Sequence, residues 1–321
     1  MKKTFLLPYI AVTALVSLLL TGCQSTPSVQ PPTEKPETVI QDGLSELSKV
    51  KAYNFDFNMG VEAKDPTSPL AQLALKIGGF VDMKDVKNPK LAFKIEATGS
   101  DTSGTNGAAL MDLQLNKDIF FFNVGKVDVG TPVPPQFAEM IGKWWKITLP
   151  EEALKEMHKV LDQAEASQNT AEQEKMKKLL EENNFFGQPT FVAAEDVKGE
   201  SSNKYSVTID KKILVQFVTK LNQTQTTSTL SASDIKDFEK GLTMMDITGN
   251  VWVGSKSHVL NKMALNLKVN DTVKNTSGTI TMDAVFWDFG KDFTVEPHAD
   301  AQEFPIEQVL MPLLMGGGLP L

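Results

Sequence analysis

The sequence is poor in the side chains that carry out chemistry. It holds one cysteine, three histidines and three tyrosines in 321 residues. A single cysteine excludes a disulfide framework and a cysteine-based metal cluster. The histidines, His158, His258 and His298, are far apart in sequence. His158 follows Glu156 by two residues, which is not the HExxH spacing that sets two ligands on one helical face. His298 and Asp300 stand in an acidic stretch, Glu296 to Glu303, that reads better as a plain loop than as a metal site. There is no GxSxG, no phosphate-cradling loop and no carboxylate pair at a spacing that selects an acid and a base. No enzyme, no cofactor and no metal are expected.

Positive charge is also short. The net charge is −8. Removing residues 1–22 takes away Lys2 and Lys3 and no acid, which leaves −10. That balance argues against nucleic acid as a partner and against electrostatic docking on anionic lipid. The uncharged run from Phe5 to Leu20 contains Pro8. It falls short of the roughly 20 residues a membrane-spanning helix needs.

What is there begins at the N-terminus. Lys2 and Lys3, the apolar run and Leu20-Thr21-Gly22-Cys23 come in the order of a lipoprotein signal peptide. Small residues admit the peptidase, and the Cys23 thiol accepts the lipid. Cleavage before Cys23 would leave a chain held to a membrane by acyl groups of the palmitate kind. It would face outside the cytoplasm, on the cell membrane or an outer membrane. Gln24 to Pro36 has four prolines and Val29 as its one sizeable hydrophobe. It reads as an extended tether, reaching about 40 Å at roughly 3 Å per residue.

The body, residues 37–303, alternates with a period of two. Tyr53, Phe55, Phe57, Met59 and Val61 are apolar, and Asn54, Asp56 and Asn58 between them are polar. The same pattern returns at Leu73 to Val81, Leu91 to Ile95, Met111 to Leu115, Thr243 to Val253, Met263 to Val269 and Ile280 to Phe286. Turn residues separate these runs, so the strands form an antiparallel meander. Helical spacing appears at 37–50, within a charged insert at about 150–188, at Lys211 to Leu221 and at Ser231 to Lys240. The fold class is therefore α+β: about ten strands in one large antiparallel sheet with one apolar face. So wide a sheet must curl or be covered, and the inserted helices are the expected cover. Whether residues 150–242 cover the sheet or form a separate lobe stays open.

Three stretches carry a resemblance. They are Gly142-Lys-Trp-Trp-Lys-Ile147, Gly249-Asn-Val-Trp-Val-Gly254 with the subsequent Ser257 to Met263, and Thr281 to Asp288. Together with the lipid-accepting cysteine, tether and first helix, this layout resembles the LolA-like and LppX/LprG-like lipoproteins. The resemblance implies a curved half-barrel with helices on its concave side, carrying lipid or acyl chains there. Physics points the same way, because a curved sheet with an apolar inner face either fills its hollow or leaves room for a ligand. The cavity candidates are Phe55, Phe57, Met59, Ile77, Phe93, Met111, Leu113, Met263, Leu265, Met282 and Phe286. Methionine suits such a site because it adapts to variable chains. The alternative is a surface scaffold with a filled core that acts on an envelope protein of unknown identity. Residues 304–321 carry Glu307 as their only charge and read either as a tail packed across the sheet or as a mobile apolar plug or membrane-touching flap.

Overall fold

The computed structural model describes residues 34–64, 70–85, 87–128, 130, 133, 138–148, 155, 159, 178–179, 182–224, 230–271 and 276–304. The expected signal peptide, Cys23, most of the tether, most of the insert at 150–188 and the tail beyond Phe304 lie outside those residues.

The described residues form twelve strands, two more than expected, in one sheet. In chain order these are β1 (Ala52–Lys64), β2 (Leu70–Asp82), β3 (Lys90–Asp101), β4 (Asn106–Asn116), β5 (Ile119–Asp128) and β6 (Trp144–Thr148). Next come β7 (Thr190–Val197), β8 (Glu200–Thr208), β9 (Met245–Gly254), β10 (Leu260–Asp271), β11 (Thr276–Trp287) and the two-residue β12 (Gln302–Glu303). The spatial order is β12-β6-β5-β4-β3-β2-β1-β11-β10-β9-β8-β7. The sheet is open, curved and antiparallel, except that β12 lies parallel to β6. Two meanders thus meet at the β1–β11 pair, where Phe55 faces Phe286 and Met59 faces Met282.

Three helices lie among the described residues: α1 (Pro36–Leu47), α2 (Lys211–Thr224) and α3 (Ala232–Thr243). Pro36 starts α1, where a missing N–H costs nothing, and Glu37 favours the positive end of the helix. Ile40, Gly43 and Leu47 form its buried face. Gly43 lets the helix sit close to β9, where a Cβ at that position would stand 3.1 Å from Cγ2 of Val253. The Asp210 carboxylate accepts from the N–H groups of Lys212 and Ile213 at the start of α2. Ser231 and Asp234 form a reciprocal capping box at the start of α3. Helix α1 packs on β9 and β10, and α3 packs on α2 and β9. The helices cover one side of the sheet, its inner face.

The outer face is mostly polar but carries Phe80, Phe121, Trp144, Trp252, Val285 and Trp287. Each has a cover. The turn joining β7 to β8 brings Val197 against Trp252 and Val285, and Lys198 Nζ sits 4.0 Å from the Trp287 ring. Trp252 donates its indole N–H to Glu195 at 2.9 Å. The other cover is residues 288–304, a strap that leaves β11 and crosses the outer face. Asp288 accepts from Asn54 at 2.8 Å. Phe293 stacks on Phe80, with ring centroids 4.8 Å apart. His298 stacks on Trp144 at 3.5 Å and meets Gln114 at 3.0 Å. At the β6 edge the strap turns inward. Phe304 then packs on Phe122 and Trp145, which belong to the inner face.

Candidate functional site

Strand register decides which side chains share the inner face, since residues paired across antiparallel strands point the same way. Five rows cross from β1 to β4. They include Phe57–Ile77–Ile95–Met111, Met59–Leu75–Ala97–Ala109 and Val61–Leu73–Gly99–Gly107. Leu113 and Met111 continue on β5 as Phe122 and Val124, and Phe122 continues on β6 as Trp145. From β1 to β6 the only charged inward position is Asp101 at the very end of β3, whose carboxylate is taken up by Ser103 and Thr105 in the turn to β4, and only Tyr53 carries a hydroxyl.

All eleven cavity candidates on described strands point to this inner face, but they fall into two environments. Met59, Met263, Leu265, Met282 and Phe286 are buried in the main core, among side chains of β9, β10 and β11 and the helices. Phe55, Phe57, Ile77, Phe93 and Leu113 are only half-buried, and Met111 is 37 % exposed. The division tracks the helices. Leu265 and Leu267 on β10 and Ile247 and Val251 on β9 lie under α1 and α3 and are buried. Leu73, Leu75, Ile95 and Leu115 on β2 to β4 are not.

The upper end of the inner face is aromatic. Phe93, Phe55, Tyr53 and Phe286 run edge to face across β3, β1 and β11, with centroids 5.6 to 6.3 Å apart. Gly79 sits opposite both Phe55 and Phe93, and a Cβ on it would stand 1.9 Å from the Ala92 carbonyl oxygen. Two large rings therefore flank a position that admits only glycine. Burial holds the Tyr53 hydroxyl neutral and pushes its pKa up to about 12. Tyr205, at the other side of the core, is also shifted upward, first by burial and then by the charge of Glu34.

Sequence reasoning did not single out Leu73, Leu75, Ile95, Leu115, Phe120, Phe122, Trp145 or Phe304 as candidates. The alternation that marked Phe93 and Met111 marks most of these equally well. Phe304 was hidden, because nothing in its neighbourhood says that the chain pairs with the β6 edge there. His258 lies in the turn between β9 and β10, where its N–H donates to the Gly254 carbonyl. His158 is outside the described residues. Among the described residues no group of three His, Cys, Asp or Glu side chains is placed to hold a metal. No helix among them is long and apolar enough to cross a membrane.

The outer face offers a different kind of hollow. Two grooves of about 580 and 560 Å³ adjoin at Gly60, Ala74 and Thr281. Asn58, Thr248, Asn250, Asn266 and Asp283 line the first, and Gln72, Thr98, Ser100 and Lys126 the second. In both, these polar side chains stand among apolar wall atoms, so a ligand there would meet amide, hydroxyl and charged groups beside hydrocarbon.

The molecule is thus an open half-barrel with an apolar, incompletely covered inner strip. No protein-family profile and no curated protein sequence matches the chain. Among solved structures it is similar in fold to LprF from Mycobacterium bovis, at 12 % identity and a TM-score of 0.36, covering 85 % of this chain and 99 % of that one. It is also similar to the Mycobacterium tuberculosis lipoprotein LppX, at 11 % identity and a TM-score of 0.29, covering 81 % and 97 %. A LolA superfamily protein from Nitrosomonas europaea shares 8 % identity at a TM-score of 0.18, covering 82 % and 96 %.

Proposed function

We propose that the chain is a lipoprotein anchored through Cys23 outside the cytoplasm, and that it binds or carries a lipid-like ligand on its inner face. One observation carries this: apart from Asp101 at the end of β3, the inward positions of six neighbouring strands hold no charge, and most of them stay partly exposed. An apolar surface of that size is costly in water unless something covers it. A hydrocarbon chain would cover it well, at about 0.8 kcal/mol per buried CH₂ before ordering costs. Among the described inward positions of β1 to β6 the polar end of such a ligand finds no cation. All 32 basic residues are lysines, so the bidentate clamp that arginine gives a phosphate or carboxylate is missing. The inner face therefore favours the acyl part and leaves the head group in water.

A second reading has its own support. Met59, Met263, Leu265, Met282 and Phe286 are packed into the core, as in a scaffold whose hollow is filled. Native mass spectrometry of the protein released from the membrane decides between the two. Co-purifying lipid that leaves on denaturation is the expected result. Bare protein in every preparation would favour the scaffold.

A further inference from the structure

We infer that the chain's own C-terminal segment, residues 305–321, docks on the inner strip of β2 to β6 when no ligand is there. The strap delivers the chain to that strip. Residues 288–304 cross the outer face under specific anchors and then run along the β6 edge as the short parallel strand β12. Gln302 and Glu303 pair with Trp145 and Lys146. The N–H of Phe304 donates to the Lys146 carbonyl at 2.9 Å, and Glu303 pairs with Lys146 at 3.2 Å. The Phe304 ring sits 5.1 Å from that of Phe122 and 5.9 Å from that of Trp145. The chain therefore leaves the described structure at the rim of the inner strip, already in contact with it.

The remaining segment matches that strip chemically. Seventeen residues lie beyond Phe304, and Glu307 is the only charge among them. Val309, Leu310, Met311, Leu313, Leu314 and Met315 supply the apolar surface. An apolar segment of that composition does not suit bulk water, and the outer grooves would set it against Asn58, Asn250, Asp283 and Lys126. Length also suffices. Fully extended, seventeen residues reach roughly 55–60 Å at ~3.3–3.6 Å each. The strip from β6 to β1 is only about 24 Å wide at ~4.8 Å per strand. The segment can cross the whole strip with length to spare. Docked there, it would cover Ile95, Met111 and Leu113, which the helices leave partly open. It would also compete with a ligand. The competition rests on the carrier reading, whereas the docking does not.

The test is a photo-crosslinking side chain placed at Leu313 of the full-length, delipidated protein, with the adducts mapped by mass spectrometry. Adducts on inward residues of β2 to β6 are expected. Adducts on the outer face, on another copy, or none at all overturn the docking. A second measurement uses a fluorescent naphthylamine probe for apolar surface. Deleting residues 305–321 should raise probe binding at least threefold, and so should Leu313→Lys with Leu314→Lys if the deletion variant fails to fold. Unchanged binding in a folded variant overturns the proposal. The carrier reading fails separately, on bare protein in native mass spectrometry, and that result does not move the crosslink map.

Discussion

Two methionines on the same face separate a binding strip from a core. Met111 is 37 % exposed and Met282 is 8 % exposed, and both point inward. A carboxylate at Met111 keeps its water, so Met111→Glu is expected to shift stability by less than about 1 kcal/mol. The same charge would face any hydrocarbon laid on the strip, so lipid occupancy in native mass spectrometry should fall at least tenfold. Met282→Glu puts the charge among packed side chains, where an unpaired ion costs several kcal/mol, so it should leave too little folded protein to assay. If Met111→Glu kept its lipid, the strip would not be the site. The tyrosines report on burial at this scale. Tyr53 is raised to about 12 and Tyr205 is raised, both by burial. The neutral phenol is favoured in the fold, so stability is complete below the unfolded value near 10 and falls as pH rises through the folded value. A chain cut before Cys23 loses Tyr9 and retains these two alone. Its phenolate absorbance should rise at higher pH than that of free tyrosine, with the Tyr53 share absent near pH 10, and a full two-tyrosine step at pH 10 in the folded protein would sink the assignment.

At the scale of elements, local signals are legible in the sequence and long-range ones are not. The alternation around Phe55, Phe93 and Met263 placed the strands and their inward residues, because a one-residue slip would move every apolar side chain to water. Ser231 and Asp234 marked the start of α3 for a similar reason: a cap is a contact between near neighbours. Ser231→Ala should therefore cost about 1 kcal/mol, seen as a lowered urea midpoint with an unchanged slope. The strap was not legible. Phe293 and His298 sit in a stretch without periodicity, and their partners Phe80, Gln114 and Trp144 lie far upstream in the chain. Apolar residues on the polar phase of a strand, such as Phe80, Phe121 and Trp252, were the one hint that something covers the outer face. His298→Ala removes the ring stacked on Trp144. It should speed hydrogen exchange at the Phe304 amide, which β6 protects, and leave that of β9 and β10 unchanged. Equal exchange in the variant would mean that the strap is held without His298.

At the scale of the whole molecule, the two meanders do different work. The side from β9 to β11 is closed by α1, α2 and α3, and its inward residues are buried in one core cluster with them. The side from β2 to β6 shares the same continuous sheet but keeps its inward residues half-open. The sequence could not distinguish these halves, since Leu265 and Leu113 sit in equally regular alternation. Only the helix positions set them apart, and those depend on contacts such as Gly43 against Val253. A ligand that enters such a molecule has little to gain on the packed side, where it would have to displace side chains already in contact. It gains most where apolar surface is still wet. Hydrogen exchange with and without palmitate should therefore show added protection on β2 to β5 and almost none on β9 and β10. Protection spread evenly over both meanders would indicate general stiffening instead of a site. Protection confined to Asn58, Thr248 and Asn250 would move the site to the outer grooves, where polar side chains stand among the apolar wall atoms.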